Sequence, residues 1–296
     1  MDWRIIVAKQ AILSRSPLRD ALRRFKRLHF GYEPDPRNLS ATLAHLEQMK
    51  AELDRLGKSF EGATILEMGS GWFPTIPVML AIGGAKRVLM SDISPHMDEV
   101  TFEATLQFLR NSMPGNDRLK AIRRVDDLPI TYLAPFDAKA IPDGTIDFVI
   151  SRTVLEHIPP GDLTGLLKTL GPKLSREGLM VHLVDHSDHL EHLDKSISKI
   201  NFLTWSKRKH AWINFLIQGG ENRLRHHEYQ PLFERSGYRV VSSSANIHEQ
   251  TRKIAASLPL SPPYSGMSPE QLAALSSLYV LSAQDQTPGP KARDDA

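Results

Sequence analysis

The segment Thr64-Ile65-Leu66-Glu67-Met68-Gly69-Ser70-Gly71, with Asp92 closing a second apolar run about twenty residues later, restricts this chain more than any other feature. Ile65 and Leu66 read as the end of a buried strand. Glu67 follows, then two glycines spaced so that backbone passes close to a ligand. Residues 77–82 read as the start of a helix packed behind that turn, and residues 87–91 as a second strand ending at Asp92. Strand, glycine turn, helix, strand and terminal acid form a nucleotide-binding half-unit, in which the acid accepts hydrogen bonds from ribose hydroxyls.

The turn also limits which nucleotide it serves. A dinucleotide fingerprint wants a third glycine in the sixth position, with a helix N-terminus aimed at a pyrophosphate. Here that position is Pro74, and Trp72 and Phe73 are bulky where a pyrophosphate needs room. Glu67, an acid directly on the turn, repels phosphates and attracts a cation. A ligand with ribose, adenine and an ammonium group but no phosphate fits better. The run Glu67-Met68-Gly69-Ser70-Gly71 resembles the acid-x-Gly-x-Gly motif of the class I S-adenosylmethionine-dependent methyltransferases, in particular the small-molecule, type 11-like group. That family usually has a small residue or glycine in place of Phe73, a departure that bears on the path of the loop.

The chain has 296 residues, 41% of them apolar, enough for one large α/β domain with a helical extension. With no cysteine there is no disulfide, zinc-thiolate site or thiol nucleophile, which agrees with a reducing cytosol, and a cytoplasmic location is expected. No apolar run reaches about 18 residues, so no membrane span is expected. A net charge of +3 argues against a general polyanion binder. The charge is uneven, however. Residues 1–30 interleave eight basic residues with apolar ones at loosely helical spacing. Two readings stand: an amphipathic helix making peripheral contact with an anionic membrane or a polyanionic partner, or a helix lying on the domain with its basic side in solvent.

Periodicity predicts a helix from Asn38 or Ser40 to about 56, and a helix over 94–110 with Ser94 as cap and Pro95 at its first position. Strands are expected over 130–136, 146–151, 179–184, 238–242 and 278–282. Helices are expected over 161–174, 228–236 and 268–276. Alternating strands and helices require a mainly parallel sheet covered on both faces. The family resemblance implies a three-layer Rossmann-like methyltransferase fold, whose seven-stranded sheet ends in an antiparallel last strand. The expected organisation is an N-terminal helical extension over 1–60, a cofactor-binding domain over 61–283 with a lid insertion at about 186–225, and a disordered tail over 284–296.

Ligands in such sheets bind outside the carboxyl ends of the strands, where every candidate falls. Glu67, Gly69, Ser70 and Gly71 form the turn. Asp92 reads as the ribose ligand and Ile93 as an adenine face. By resemblance, Asp137 accepts from the adenine amino group and the next backbone N–H, at Ala138, reads a ring nitrogen. The segment Ser151-Arg152-Thr153-Val154-Leu155-Glu156-His157-Ile158 also resembles the family, in which the backbone at Ser151 and Arg152 borders the methionine half of the cofactor. His157 is either a general base or a loop-fixing side chain. Five histidines lie between 157 and 192 (His157, His182, His186, His189 and His192). Of these, His186 and His189 are the further candidate bases. Two further readings of the cluster are a divalent metal that binds the acceptor oxygen and lowers its pKa, and a group that only shapes a polar lid; no His-x-Glu or facial-triad spacing fixes three ligands at once, so no metal is assigned. In the lid, Phe202, Trp205, Trp212 and Phe215 can stack on a ring, while Lys207, Arg208, Lys209, Arg223 and Arg225 can hold an anionic group; the alternative for residues 190–225 is a small helical subdomain with its own core.

The reaction implied is in-line methyl transfer from S-adenosylmethionine to a small-molecule or saccharide acceptor, at oxygen. The alternative is an inactive cofactor-binding module that docks through its basic N-terminal helix. An aminopropyl transferase is disfavoured by the basic lid. A nucleic-acid partner is not expected, because no Asn-Pro-Pro-Tyr-type segment follows the fourth strand and no aromatic-basic stacking platform is evident.

Overall fold

The computed structural model describes residues 2–14, 35–217 and 219–284. Seven strands make one sheet: β1 (Thr64–Met68), β2 (Arg87–Ser91), β3 (Ile130–Leu133), β4 (Ile146–Arg152), β5 (Leu174–Asp185), β6 (Tyr238–Ile247) and β7 (Ala274–Ala283). Their spatial order is β3-β2-β1-β4-β5-β7-β6. All neighbours pair in parallel except β7, which runs antiparallel to both β5 and β6. This is the expected Rossmann-like methyltransferase fold. β1 and β4 lie side by side in the middle, and their apolar runs follow from burial on both faces.

Strand alternation sorts the core into two layers. Ile65, Phe148, Ile150, Val181, Leu183, Leu278 and Val280 face one side. Leu66, Val149, Met180, Val184, Tyr279 and Leu281 face the other. The first layer is covered by α2 (Pro36–Arg55) and α3 (Thr75–Ile82) through Leu46, Met49, Leu53, Ile76 and Leu80. The second is covered by α6 (Pro160–Leu170) and α8 (His226–Arg235) through Leu163, Leu167, Tyr229 and Phe233. Two further helices, α4 (Glu99–Ser112) and α5 (Asp117–Ala121), extend the edge behind α3 through Phe102, Leu106 and Leu119.

Two helix starts differ from expectation. α2 begins at Pro36 with Asp35 as its cap, the carboxylate accepting from Arg37 N, rather than at Asn38 or Ser40. α4 begins at Glu99, where Asp98 and Thr101 form a reciprocal capping box. Ser94 and Pro95 stay outside it because the Tyr132 hydroxyl, arriving from β3, accepts from His96 N at 2.8 Å. α2 packs into the sheet core through Leu46, Met49 and Leu53.

The segment expected to form a lid contains α7 (Lys207–Ile217) and has its own apolar cluster. Phe202, Leu203, Trp205 and Ile213 pack with Ile6 and Val7 of α1 (Trp3–Ser14) and with Ala255 of α9 (Glu249–Ala255). Leu272 of α10 (Pro269–Ala273) joins them. Trp3 stacks on Trp205 with ring centroids 5.1 Å apart, and Lys209 Nζ lies over both rings. The N-terminal helix is thus tied to the lid through its apolar side. The second basic piece of that segment and the C-terminal tail lie outside the described residues. Among the described residues no helix is long and apolar enough to cross a membrane.

Candidate active site

The glycine turn is held shut by the strands around it. Ser70 N donates to Ser91 O at 3.0 Å, and the Ser91 hydroxyl donates to Glu67 O at 2.8 Å. Gly69 has φ +68°, and a Cβ there would sit 2.5 Å from Val154 Cγ2. Both the left-handed backbone and the close approach of the β4 loop therefore demand glycine. Gly71 shares the left-handed backbone, with φ +67°, but an added Cβ there would meet nothing within 4 Å and the turn opens onto free space.

Asp92 organises this space. Its Oδ2 accepts from Gly71 N at 2.9 Å and its Oδ1 from Ile93 N at 2.7 Å. Each carboxylate oxygen keeps a second lone pair, enough for two ribose hydroxyls. Phe136 N donates to Asp92 O at 2.8 Å, which brings the loop after β3 alongside. There Asp137 accepts from Lys139 N at 2.9 Å, capping a short 3-10 turn, while Ala138 is buried beneath it. Ile93 is 86% exposed, as an uncovered apolar face beside Asp92. The expected nucleoside residues are thus brought together at one edge. Trp72, bulky in the turn, lies with its ring centroid 4.7 Å from that of His96.

The residues fit S-adenosylmethionine. Glu67 is 4% exposed, and its Oε2 has no hydrogen-bond partner. Burial pushes its carboxyl up to about 7, against the pull of the Ser70 hydroxyl and of nearby Arg152. The Thr75 hydroxyl is likewise buried without a partner. A buried acid with an orphaned oxygen has the charge and hydrogen-bonding capacity for an ammonium group.

Beyond Glu67 the site continues across the ends of β4 and β5. Ser151 turns its hydroxyl into the core, sharing a 2.8 Å hydrogen bond with buried His182, so only its backbone can border a cofactor. Arg152 donates from Nε to His45 Nδ1 at 2.9 Å and from NH2 to Asn38 Oδ1 at 3.3 Å. Burial pulls down the pKa of this guanidinium, and Glu156, Glu67 and Asp185 oppose that fall. Arg152 is therefore within electrostatic reach of both the cofactor acid and the acids farther along the edge. The contribution of α2 was not foreseen. Its one sequence signal is that Asn38 and His45 stand seven residues apart, two helical turns on one face.

The three histidines proposed as bases part company. His186 is buried, with Nδ1 on Leu224 O at 3.1 Å and Nε2 on the Ser277 hydroxyl at 2.8 Å. Burial and the Arg225 charge keep its pKa well below the usual value. With both nitrogens occupied inside the core it cannot face an acceptor, and its role as a base is corrected to a structural one. His189 donates from Nδ1 to Glu221 Oε1 at 2.9 Å, while its Nε2 lies 3.6 Å from Asp185 Oδ2. Burial would lower its pKa, but these two carboxylates raise it to about 10. The ring is an imidazolium at neutral pH and has no lone pair with which to take a proton. Only His157 keeps one. Its Nδ1 is 3.2 Å from Gly220 O, a pure acceptor, so Nδ1 carries the hydrogen and Nε2 the lone pair. Burial lowers its pKa, leaving it neutral.

The expected anion-holding arginines are also structural. Arg225 is fully buried and donates to the carbonyls of His186, Leu272 and Ala274. Arg223 donates to Phe202 O and Trp205 O. Phe202 and Trp205 belong to the lid core and are not available for stacking, whereas Trp212 is 61% and Phe215 68% exposed. Glu156 and Glu221 were not anticipated. Glu156 is 2% exposed and burial pushes it up to about 8. Its signal was its place between the β4 end and His157. Glu221 had none, because its partners lie far away in sequence.

Residues 42–243, more than half of the chain, match the family described as a methyltransferase domain. No curated protein matches the sequence. Among solved structures, the chain is similar to an S-adenosylmethionine-dependent methyltransferase from Mesorhizobium loti, with 19% identity, 78% of this chain and 95% of that one covered, and a TM-score of 0.44. It is also similar to magnesium protoporphyrin IX methyltransferase from Synechocystis, with 12% identity, 92% and 98% covered, and a TM-score of 0.47. A S-adenosylmethionine-dependent methyltransferase from Listeria monocytogenes, described as putative, has 16% identity, 80% and 98% covered, and a TM-score of 0.44. The family match spans the glycine turn, Asp92 and the acid–imidazole edge together, and on that ground the chain belongs to the methyltransferase domain family and is a S-adenosylmethionine-dependent methyltransferase.

Proposed function

We propose that the enzyme methylates an oxygen of a small-molecule or saccharide acceptor held between the sheet edge and the lid. The observation that carries this reading is the group formed by Glu156, His157, Asp185, His189 and Glu221 beside Arg152. A neutral amine already has a lone pair for attack, whereas a hydroxyl must lose its proton. A site with a neutral imidazole, a fixed imidazolium, two carboxylates and a buried carboxyl is suited to that second task. When bound, S-adenosylmethionine supplies an activated methyl group on sulfonium. Glu67 holds the ammonium group, Asp92 the ribose and Asp137 the adenine edge. His157 Nε2 takes the hydroxyl proton, and the Gly220 carbonyl keeps its ring in the required tautomer. The lid excludes water from the developing charge.

The test is incubation with methyl-labelled S-adenosylmethionine and a panel of hydroxylated metabolites and sugars, read by mass spectrometry. Label on a hydroxyl oxygen supports the reading, and label on nitrogen or carbon alone refutes it. His157→Ala is expected to lower kcat by about 100-fold or more with little change in cofactor affinity.

A further inference from the structure

We infer that Glu156, His157 and His189 form a binding site for one divalent transition-metal ion of the zinc or cobalt kind. One donor atom from each of these three residues lies within 4.8 Å of the others, an arrangement the chain spacing did not disclose. A second, independent observation is the state of Glu156, whose two carboxylate oxygens are buried in the site without a hydrogen-bond partner. The backbone N–H groups of Glu156 and Asp185 help it little, and burial holds the carboxyl protonated until a cation displaces that proton.

The histidines are prepared for the same role. A metal-ligating imidazole usually donates its other N–H to a carbonyl or carboxylate, which fixes the tautomer and raises the basicity of the free nitrogen. His157 does so through Nδ1 to Gly220 O, and His189 through Nδ1 to Glu221 Oε1. Both supports come from adjacent residues of one loop, so a single short segment sets both rings. His189 Nε2 has no hydrogen-bond partner and lies 3.6 Å from Asp185 Oδ2, and an arriving ion takes the place of its proton, which is released to solvent. Two imidazoles and one carboxylate suit a borderline divalent ion rather than magnesium or calcium, which prefer oxygen.

Three protein ligands leave coordination positions open, and an acceptor oxygen placed there would have its pKa lowered by the ion. This use rests on the oxygen-methylation reading and deepens it: in the metal-loaded protein His157 Nε2 is a ligand, and the acceptor hydroxyl, made more acidic by the ion, loses its proton to water instead of to His157. The binding of metal does not depend on that reading.

The experiment is titration of the untagged, chelator-treated full chain with Co2+, followed by visible absorption, alongside calorimetry with S-adenosylhomocysteine. One equivalent of Co2+ with a d–d band is expected, weakened about tenfold or more in Glu156→Gln and in His189→Ala, and in the same direction by Glu221→Gln, which removes only the support behind His189. Thermal melts establish that each variant is folded, and Co2+ is expected to raise the melting temperature of the unaltered protein more than that of any variant. Absence of binding at millimolar Co2+, or equal binding by the unaltered protein and both ligand variants, overturns the proposal. If S-adenosylhomocysteine still binds in that case, the methyltransferase assignment is untouched and only the metal site falls.

Discussion

Asp92 and Glu67 do different work within a few ångströms of the same turn. Asp92 accepts two backbone N–H groups while keeping lone pairs for ligand. Hydrogen bonds to a charged group contribute about 1.5–3 kcal/mol each. Asp92→Ala is therefore expected to weaken S-adenosylhomocysteine binding by about 100-fold or more in calorimetry, with the fold retained. Glu67 makes binding depend on pH. Its folded-state value of about 7 stands above its unfolded one, so between about 4.3 and 7 the folded protein holds the extra proton and its stability falls as pH rises. An ammonium ligand selects the ionised form, which reverses the trend for binding. Affinity should rise about tenfold from pH 6 to pH 8 and level off above, and Glu67→Gln should abolish the rise. Gly69→Ala, which combines a disallowed φ with a clash on Val154, should cost about 1–2 kcal/mol from the backbone alone. Val154→Ala should recover only the clash.

Among the elements, α2 decides how the N-terminal region is understood. Leu46 and Met49 are fully buried against the sheet, so Leu46→Ala should lower stability by about 2–5 kcal/mol in denaturant titration, as for any core leucine. A loss near zero would make α2 a detachable extension. The central strands were legible in the sequence because burial on both faces leaves continuous apolar runs, and the turn and Asp92 were legible through their spacing. The start of α4 was not, since Ser94-Pro95 has ordinary helix-start chemistry that a hydroxyl from β3 overrides. The roles of His186, His189, Arg223 and Arg225 were illegible for a related reason. Their partners (Ser277, Glu221, Trp205, Leu272) come from separate elements, and a neutral base, a fixed cation and a structural donor look the same in a string of letters.

Across the whole molecule, the lid is a second small core that borrows α1 from the chain's beginning and α9 and α10 from near its end. Trp3 couples it to the N-terminus by stacking on Trp205, and Trp3 N donates to Asp194 at 2.8 Å. Trp3→Ala should speed proteolytic cleavage within 206–225 and alter acceptor KM while leaving cofactor affinity intact, since none of the nucleoside contacts lies in this unit. Equal cleavage rates would show that the lid stands without α1.

Arg152 gives the two halves of the site a common counter-charge. An ammonium group beside Glu67 and a cation among Asp185 and Glu156 each change the charge that Arg152 faces. Thermodynamic reciprocity then requires that occupancy of either half retune the other by one and the same factor. Titrations of one ligand alone will accordingly describe a different protein from the one that turns over.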